Sequence, residues 1–441
     1  MDRYHVITFG CQMNKHDSER IAGLLEARGM SPAPSVEDAD VIVFNTCCVR
    51  ENADDRLLGQ VASLKSLKTG GRPDVLIAVG GCIGQRDGAA ITERLPHVDV
   101  VFGTHNIDAL PALLDAAEEG RPAVQVLEGS ETFASDLPSR REQPWHAWVP
   151  IAVGCDNYCT YCIVPYVRGH ERSRPIEAIC AEVDRLVADN VREVTLLGQN
   201  VNSYGRDRYG APRFADVLDA VARSGVDRVR FATSHPKDLS DEVIAVMAER
   251  PAVCEQLHLP VQSGSNAILR AMNRRYTREH YLDLVDRLRS AMPDIALSTD
   301  VIVGFPGETD EDFEQTLDLF RSVRYDQAFT FIYSPREGTP AATLPDPVPR
   351  SVIQERFDRL VEIVQASAHE ASRRLLGTNQ RILVEGASKR DERMLTGRTV
   401  SGRIVHVPVA DGSIAAEKAG EFVDVHITDA QTWFLLGEPI A

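Results

Sequence analysis

Trp148-Val149-Pro150-Ile151-Ala152-Val153-Gly154-Cys155-Asp156-Asn157-Tyr158-Cys159-Thr160-Tyr161-Cys162 is an apolar run that empties directly into a loop with three thiols in eight residues. The run reads as a buried strand. Cysteines with three and then two residues between them can turn their sulfurs toward one point and hold a soft or borderline metal. A structural zinc site would want a fourth ligand close by, yet the next cysteine is Cys180 and His170 lies outside the loop. Three thiolates on a four-iron cluster leave one iron open. The competing readings are a metal clip and three unrelated core cysteines, and the tight spacing favours the cluster.

Composition bounds the rest. A chain of 441 residues is too long for one ordinary core, so two or three domains are expected. Nine cysteines are odd in number and not spaced as a small secreted framework, and Met1-Asp2-Arg3-Tyr4-His5 opens no apolar signal core. A reducing cytoplasm is the expected compartment. No uncharged apolar run approaches the roughly 18 residues that span a bilayer. The net charge of −17 argues against non-specific coating of nucleic acid but leaves room for a local basic site.

The first hundred residues repeat one device. Strands are expected at 5–9, 40–44 and 75–79, each followed by a helix, and each delivers a cysteine: Cys11, Cys47 and Cys82. Asp17 or Ser18 is the expected cap of the first helix, with Ile21, Leu24 and Leu25 on one face and Gly29 as its stop. Alternating strands and helices imply a parallel sheet with right-handed crossovers, whose loops emerge at one edge. The three cysteines can therefore meet although 36 and 35 residues separate them. Cys48, Cys180 and Cys254 read as core residues. A fourth strand at 98–102 and a helix near 108–118 close the pattern, and Ser130 to Gln143 looks like a linker.

Six apolar strands follow at 148–153, 193–197, 228–232, 256–261, 295–303 and 327–333, with helical segments between them, which suggests a parallel, partly open barrel. Polar clusters at the strand ends include Gly198-Gln199-Asn200, Thr233-Ser234-His235, Gln262-Ser263-Gly264-Ser265 and Gly304-Phe305-Pro306-Gly307-Glu308. Gln262, Ser298 and Asp300 offer hydrogen bonds to an amino acid or ribose. Arg168, Arg172 and Arg174 follow the cysteine loop, and Arg270, Arg274, Arg275 and Arg278 crowd a second segment; arginine forks suit phosphate or carboxylate, while the second group reads equally as a charged helix face. After a proline-punctuated connector at 335–349 and a long helix at 350–376, short strands at 381–384, 394–399, 403–409, 421–427 and 433–436 suit a small antiparallel barrel. Residues 373–403 hold eight basic and three acidic residues, so one side of this barrel is a plausible RNA platform.

The whole order resembles the methylthiotransferase family of radical S-adenosylmethionine enzymes. The resemblance is carried by Thr8-Phe9-Gly10-Cys11-Gln12-Met13-Asn14, Asn45-Thr46-Cys47-Cys48-Val49-Arg50-Glu51, Gly80-Gly81-Cys82, the loop of Cys155, Cys159 and Cys162, Arg168-Gly169 with Ser173-Arg174-Pro175, and Leu259-Pro260-Val261-Gln262-Ser263-Gly264-Ser265. It implies an α/β multidomain chain: an N-terminal parallel-sheet domain (1–120), a linker (121–140), a partial (β/α)6 radical core (141–372) and a C-terminal RNA-binding barrel called TRAM (373–441). It also implies an auxiliary [4Fe-4S] cluster on Cys11, Cys47 and Cys82 and a radical [4Fe-4S] cluster on Cys155, Cys159 and Cys162. In the family the open iron of the latter chelates S-adenosylmethionine, whose reductive cleavage yields a 5′-deoxyadenosyl radical. Tyr161, Gln199, Gln262, Ser298 and Asp300 are the expected cofactor contacts, and Arg168, Arg172, Arg174, Lys389, Arg390 and Arg398 the expected RNA contacts.

Within the family, Gly10-Cys11-Gln12-Met13-Asn14 followed by Asp17-Ser18-Glu19 resembles the branch that inserts a methylthio group at C2 of tRNA N6-dimethylallyladenosine beside the anticodon. One S-adenosylmethionine is then expected to methylate sulfur at the auxiliary cluster and a second to supply the radical that takes the C2 hydrogen, a step that belongs to the cofactor rather than to a protein acid or base. A reduced donor such as flavodoxin or ferredoxin and a sulfur source are implied partners. Other branches act on threonylcarbamoyladenosine or a ribosomal-protein aspartate; outside the class stand a non-catalytic metal-dependent RNA-binding module and an electron-transfer protein. His170 departs from the family pattern, which usually carries an acidic residue there.

Overall fold

The computed structural model describes residues 1–48, 51–121, 123–129, 132–409 and 415–440, the side chains of 51–56 and 416 excepted. Val49 and Arg50 of the second cysteine motif, Ser130 at the head of the expected linker and Ala441 at the end of the expected barrel lie outside the described residues.

Strands β1 (Arg3–Thr8), β2 (Ser31–Pro32), β3 (Val41–Thr46), β4 (Leu76–Gly80), β5 (Val100–Phe102) and β6 (Ala123–Gln125) form one parallel sheet in the order β2-β1-β3-β4-β5-β6. β3 and β4 are buried at every position, as strands with helices on both faces must be. Their alternate residues feed two cores: Ile42, Phe44, Ile77 and Val79 on one face, Val41, Val43, Leu76 and Ala78 on the other. The edge strands β2 and β6 add to the four that sequence patterning anticipates, because Ser31-Pro32 is exposed throughout and Val124 and Gln125 are exposed, so neither forms the buried apolar run that marks β5. The first helix also begins earlier than expected. It runs Gln12–Ala27 with Cys11 at its N-cap, and Asp17 and Ser18 lie inside it, buried and committed to Arg168, Thr8 and Asn45 instead of to capping.

The centre contains β7 (His146–Pro150), β8 (Ala152–Val153), β9 (Arg172–Ser173), β10 (Glu193–Leu197), β11 (Arg228–Phe231), β12 (Gln256–His258), β13 (Ala296–Val303) and β14 (Gln327–Ile332). β7, β10 and β11 pair in parallel, as do β12, β13 and β14, and a parallel bridge between Val229 and Val253 joins the two sheets into one curved array. Val149, Val194, Leu196, Val229, Leu257, Leu297 and Val301 pack outward against the helices. The opposite pleat, with Trp148, Thr195, Arg230, His258, Asp300 and Phe329, faces the concave side.

β15 (Asn379–Ala387), β16 (Met394–Arg398), β17 (Ile404–Pro408), β18 (Phe422–Ala430) and β19 (Phe434–Pro439) close a barrel in the order β15-β16-β17-β19-β18. It is not wholly antiparallel, since β17 and β19 run parallel. The reason is topological: a ring of five strands cannot alternate direction all the way round. The barrel docks on the N-terminal ends of the central strands. Arg228 donates to the carbonyls of Arg381 and Arg398 at 2.7 Å each, Arg230 to those of Thr399 at 2.9 Å and Val400 at 3.1 Å, and Arg403 pairs with Asp326 at 3.1 Å. One end of the curved array is thereby floored, and the C-terminal strand ends are left as its mouth. No helix among the described residues is long and apolar enough to cross a membrane.

Candidate metal and cofactor site

Cys11, Cys47 and Cys82 emerge at one edge of the N-terminal sheet, just past β1, β3 and β4. Two glycines let the loops approach. A side chain on Gly10 would collide with Cys47; Gly81 has φ +81°, and a Cβ there would stand 2.5 Å from Asn45 Oδ1. Asparagines bind the loops to one another: Asn45 Nδ2 donates to the Asn14 carbonyl (2.7 Å), Asn14 Nδ2 donates to the Thr46 carbonyl (2.9 Å), and the Cys11 thiol donates to Asn14 Oδ1 (3.3 Å). Patterning singles out the thiols but not this lattice, since a buried Asn in a helix carries no periodic signal.

Arg168 enters the same space from the central domain. Its Nη2 lies 2.8 Å from Asp17 Oδ2, and its charge acts on Cys82 and Cys11. Burial alone would raise the Asp17 carboxyl, yet Arg168 and His16 outweigh it and hold the group below the usual range. Cys48, buried in the core as expected, also donates to Cys82. That hydrogen bond, opposed by burial and assisted by Arg168, lowers the Cys82 thiol, while Cys48 is pushed up. A pre-formed thiolate is what a metal ligand requires.

The second trio sits in a loop pinned on three sides. The Cys155 amide donates to the Gly169 carbonyl (3.1 Å), the Thr160 amide to Met272 (3.1 Å), and Asn273 Nδ2 to the carbonyls of Asn157 (3.2 Å) and Tyr158 (2.9 Å). Burial pushes the Cys155 thiol up to about 11 and Cys162 to about 12, the latter helped by Cys159 beside it. Arg274 Nη1 reaches Cys159 Sγ at 3.6 Å. Buried sulfurs that repel one another ionise together only with a cation in their midst, so this donor set fits a metal cofactor. Among the described residues no three His, Cys, Asp or Glu side chains are gathered tightly enough for one ion to bind all three. A multi-iron cluster asks less, because each thiolate takes its own iron.

At the mouth, Gln199 Oε1, Ser234 Oγ and Tyr333 Oη, which follow β10, β11 and β14, are buried without a hydrogen-bond partner. Orphaned groups at three strand ends fit a polar ligand lying across them. Tyr161 packs against the buried cluster of Ile268, Met272, Phe305 and Ala341. Gln262, at φ +68°, uses its backbone to bridge Asp300 (2.9 Å) and Ile302 (3.0 Å) and leaves its side chain to spare. Ser298 Oγ and Asp300 Oδ2 lie 3.1 and 3.5 Å from the two ring nitrogens of His258, a residue that sequence reading passed over although it alternates with Gln256 on the concave face.

The expected RNA contacts divide. Arg168 and Arg174 are buried and engaged, Arg174 with the Pro150 carbonyl and Glu182 at 2.7 Å each, which corrects their assignment to RNA: neither guanidinium reaches the surface. Arg172 lies over the Phe133 ring at 4.9 Å. Arg398 pairs with Glu385 at 2.7 Å, while Lys389 and Arg390 are exposed. Arg274, read with a helix face, is instead a buried loop residue that touches the cysteine loop.

Glu171, beside this loop, accepts from Ser203, and burial with Asp207, Asp156 and Asp238 nearby raises its carboxyl from 4.5 to about 7. A folded value above the unfolded one means that its contribution to stability is full below pH 4.5 and lost as pH rises through about 7. Glu171→Gln is therefore expected to raise the thermal midpoint at pH 8, by the equivalent of about 2–3 kcal/mol, and to leave it nearly unchanged at pH 4.

Three family models match the chain: "Uncharacterized protein family UPF0004" over residues 3–103, the radical SAM superfamily over 149–320 and the TRAM domain over 373–440. The tRNA-2-methylthio-N(6)-dimethylallyladenosine synthase of Carboxydothermus hydrogenoformans is 50% identical over 438 residues, covering 98% of each chain. That of Acidothermus cellulolyticus is 52% identical over 442 residues, covering 99% of this chain and 88% of its own. Among solved structures, the radical S-adenosylmethionine methyltransferase TsrM from Kitasatospora setae, with tryptophan substrate and a SAM analog bound, superposes with a TM-score of 0.56 at 14% identity. That match covers 78% of this chain and 75% of TsrM and shows a shared fold.

Proposed function

Because the chain belongs to the tRNA-2-methylthio-N6-dimethylallyladenosine synthases, radical S-adenosylmethionine methylthiotransferases, we propose that it converts N6-dimethylallyladenosine beside the anticodon of tRNA to its 2-methylthio form. The observation that carries this reading is the position of Arg168: six residues after Cys162, it hydrogen-bonds Cys82 and its charge acts on Cys11, so the helix leaving the second cysteine loop reaches the first trio.

In this reading Cys11, Cys47 and Cys82 hold one [4Fe-4S] cluster, and Cys155, Cys159 and Cys162 hold the other. When bound, the clusters and S-adenosylmethionine supply the one-electron chemistry and the methylated sulfur that an unactivated aromatic C–H bond requires. The chain's residues orient and enclose. Tyr161, Gln199, Gln262, Ser298 and Asp300 present hydrogen-bonding groups to the cofactor, with His258 fixing the last two. Arg228 and Arg230 hold the C-terminal barrel against the N-terminal strand ends, which leaves the mouth as the open end of the array for substrate. Lys389, Arg390, Arg398 and Arg172 are the cations left for RNA. The target base must leave its stack to enter, which an anticodon loop permits at small cost. A reduced flavodoxin or ferredoxin and a sulfur source complete the partner set. Nucleoside analysis of tRNA from cells with and without the gene tests the assignment: 2-methylthio-N6-dimethylallyladenosine should vanish on deletion and its unthiolated precursor accumulate, and an unchanged profile overturns the substrate.

A further inference from the structure

We propose that the rim of the mouth carries a track for single-stranded RNA, in which Arg270 and Arg275 hold backbone phosphates and the rings of Tyr158, Tyr166 and His170 receive neighbouring bases. The proposal rests on the tRNA reading and extends it to a surface outside the C-terminal barrel.

Charge supplies the first ground. In a chain of net charge −17, Arg274 and Arg278 of this segment are committed to Cys159 and Asp318. Arg270 and Arg275 are exposed and make no ion pair among the described residues. They border a cavity of about 320 Å³ also lined by Asn266, Asn273 and Thr277. Glu279, a carboxylate close by, is held by Asn266 at 3.0 Å. Two unpaired forks beside amide and hydroxyl donors suit a phosphodiester.

The rings supply the second. Asn273 ties the cavity to Tyr158 through its carbonyl at 2.9 Å. Tyr158 meets Tyr166 at 6.1 Å and His170 at 6.4 Å, both edge to face, and the two tyrosines are 38% and 51% exposed. Cations interleaved with solvent-facing rings are the chemistry of single-stranded nucleic acid binding; an acidic redox protein would use the cations but not the rings. Position supplies the third. This segment follows β12 at the mouth, whereas the C-terminal barrel grips the opposite strand ends, so a base entering the mouth needs a second hold on its backbone there.

The test is binding of the full-length protein to an anticodon stem-loop carrying N6-dimethylallyladenosine, followed by anisotropy across a salt series. Arg270→Ala with Arg275→Ala is expected to weaken binding about tenfold or more at low salt and to flatten the slope of log K against log salt by about 0.7 per lost contact. Tyr166→Ala is expected to weaken binding about tenfold with the slope kept. Arg270→Lys with Arg275→Lys should preserve the slope. Arg223→Ala, which removes a guanidinium already paired with Asp219, should change neither quantity. An unchanged slope and affinity in the double variant overturns the proposal. So does intact RNA binding combined with slower reduction by an acidic flavoprotein, which would make the patch a redox dock. Turnover of the same stem-loop by the unaltered protein tests the substrate separately, so either reading can fail alone.

Discussion

Cys159→Ala is expected to abolish both cleavage of S-adenosylmethionine and methylthio transfer, whereas Cys47→Ala abolishes transfer and spares cleavage. Each loss should exceed about 10³-fold, because the step that breaks an aromatic C–H bond has no substitute among side chains. The asymmetry follows from the geometry. Cys159 sits among buried thiols held up by burial and mutual repulsion, with Arg274 3.6 Å away, and losing one ligand leaves the remaining two too few. Cys47 lies on the other domain, against Gly10, where its removal leaves the 155–162 loop and its anchors at Gly169, Met272 and Asn273 untouched. After anaerobic reconstitution each variant should retain about half of the iron and acid-labile sulfide, and 5′-deoxyadenosine and methylthiolated nucleoside are measured in parallel. Loss of both activities in Cys47→Ala would mean that the trios do not form separate sites.

Arg168→Leu is expected to be the most destabilising change at the domain junction, by about 3–5 kcal/mol, because it strands a buried carboxylate. Asp17 lies 2.8 Å from the guanidinium, and the two partners belong to different domains. The neighbouring pair Arg20 and Glu182, at 3.0 Å, and the bond from Thr104 to the Val167 carbonyl, at 2.7 Å, keep the domains together, so the loss should loosen the junction without separating it. Denaturant unfolding of Arg168→Leu, Asp17→Asn and the double variant gives the coupling. The double change should cost less than the sum of the single ones, since Asn at 17 no longer leaves a bare charge. Arg168→Lys should recover part of the stability but not the fork that serves Asp17 and Cys82 at once. Additive losses would show that the pair is not coupled.

The three-part architecture is legible in the chain because hydrophobic periodicity is local. Alternation of strand and helix through β1, β3, β4 and β5, the six parallel strands of the central array and the short strands after the long helix all follow from spacing, and the three-thiol loop declares itself within eight residues. What failed locally has local causes. β2 and β6 are exposed edge strands without a buried apolar run, and Asp17 and Ser18 looked like helix caps because that residue type usually is one, until burial gave them Arg168 and Asn45 instead.

The site divides along the same line. Which residue types can hold metal, and that Cys11, Cys47 and Cys82 leave equivalent strand ends, follows from the order of the chain. That Arg168 and Arg174 are buried in ion pairs, that Arg274 reaches Cys159, that His258 joins Ser298 to Asp300, and that the C-terminal barrel floors the central array through Arg228 and Arg230 depend on contacts between residues from 8 to 170 positions apart. An arginine in a sequence is equally a surface cation or half of a buried pair. Only packing, which decides whether a carboxylate waits within reach and water does not, tells the two apart.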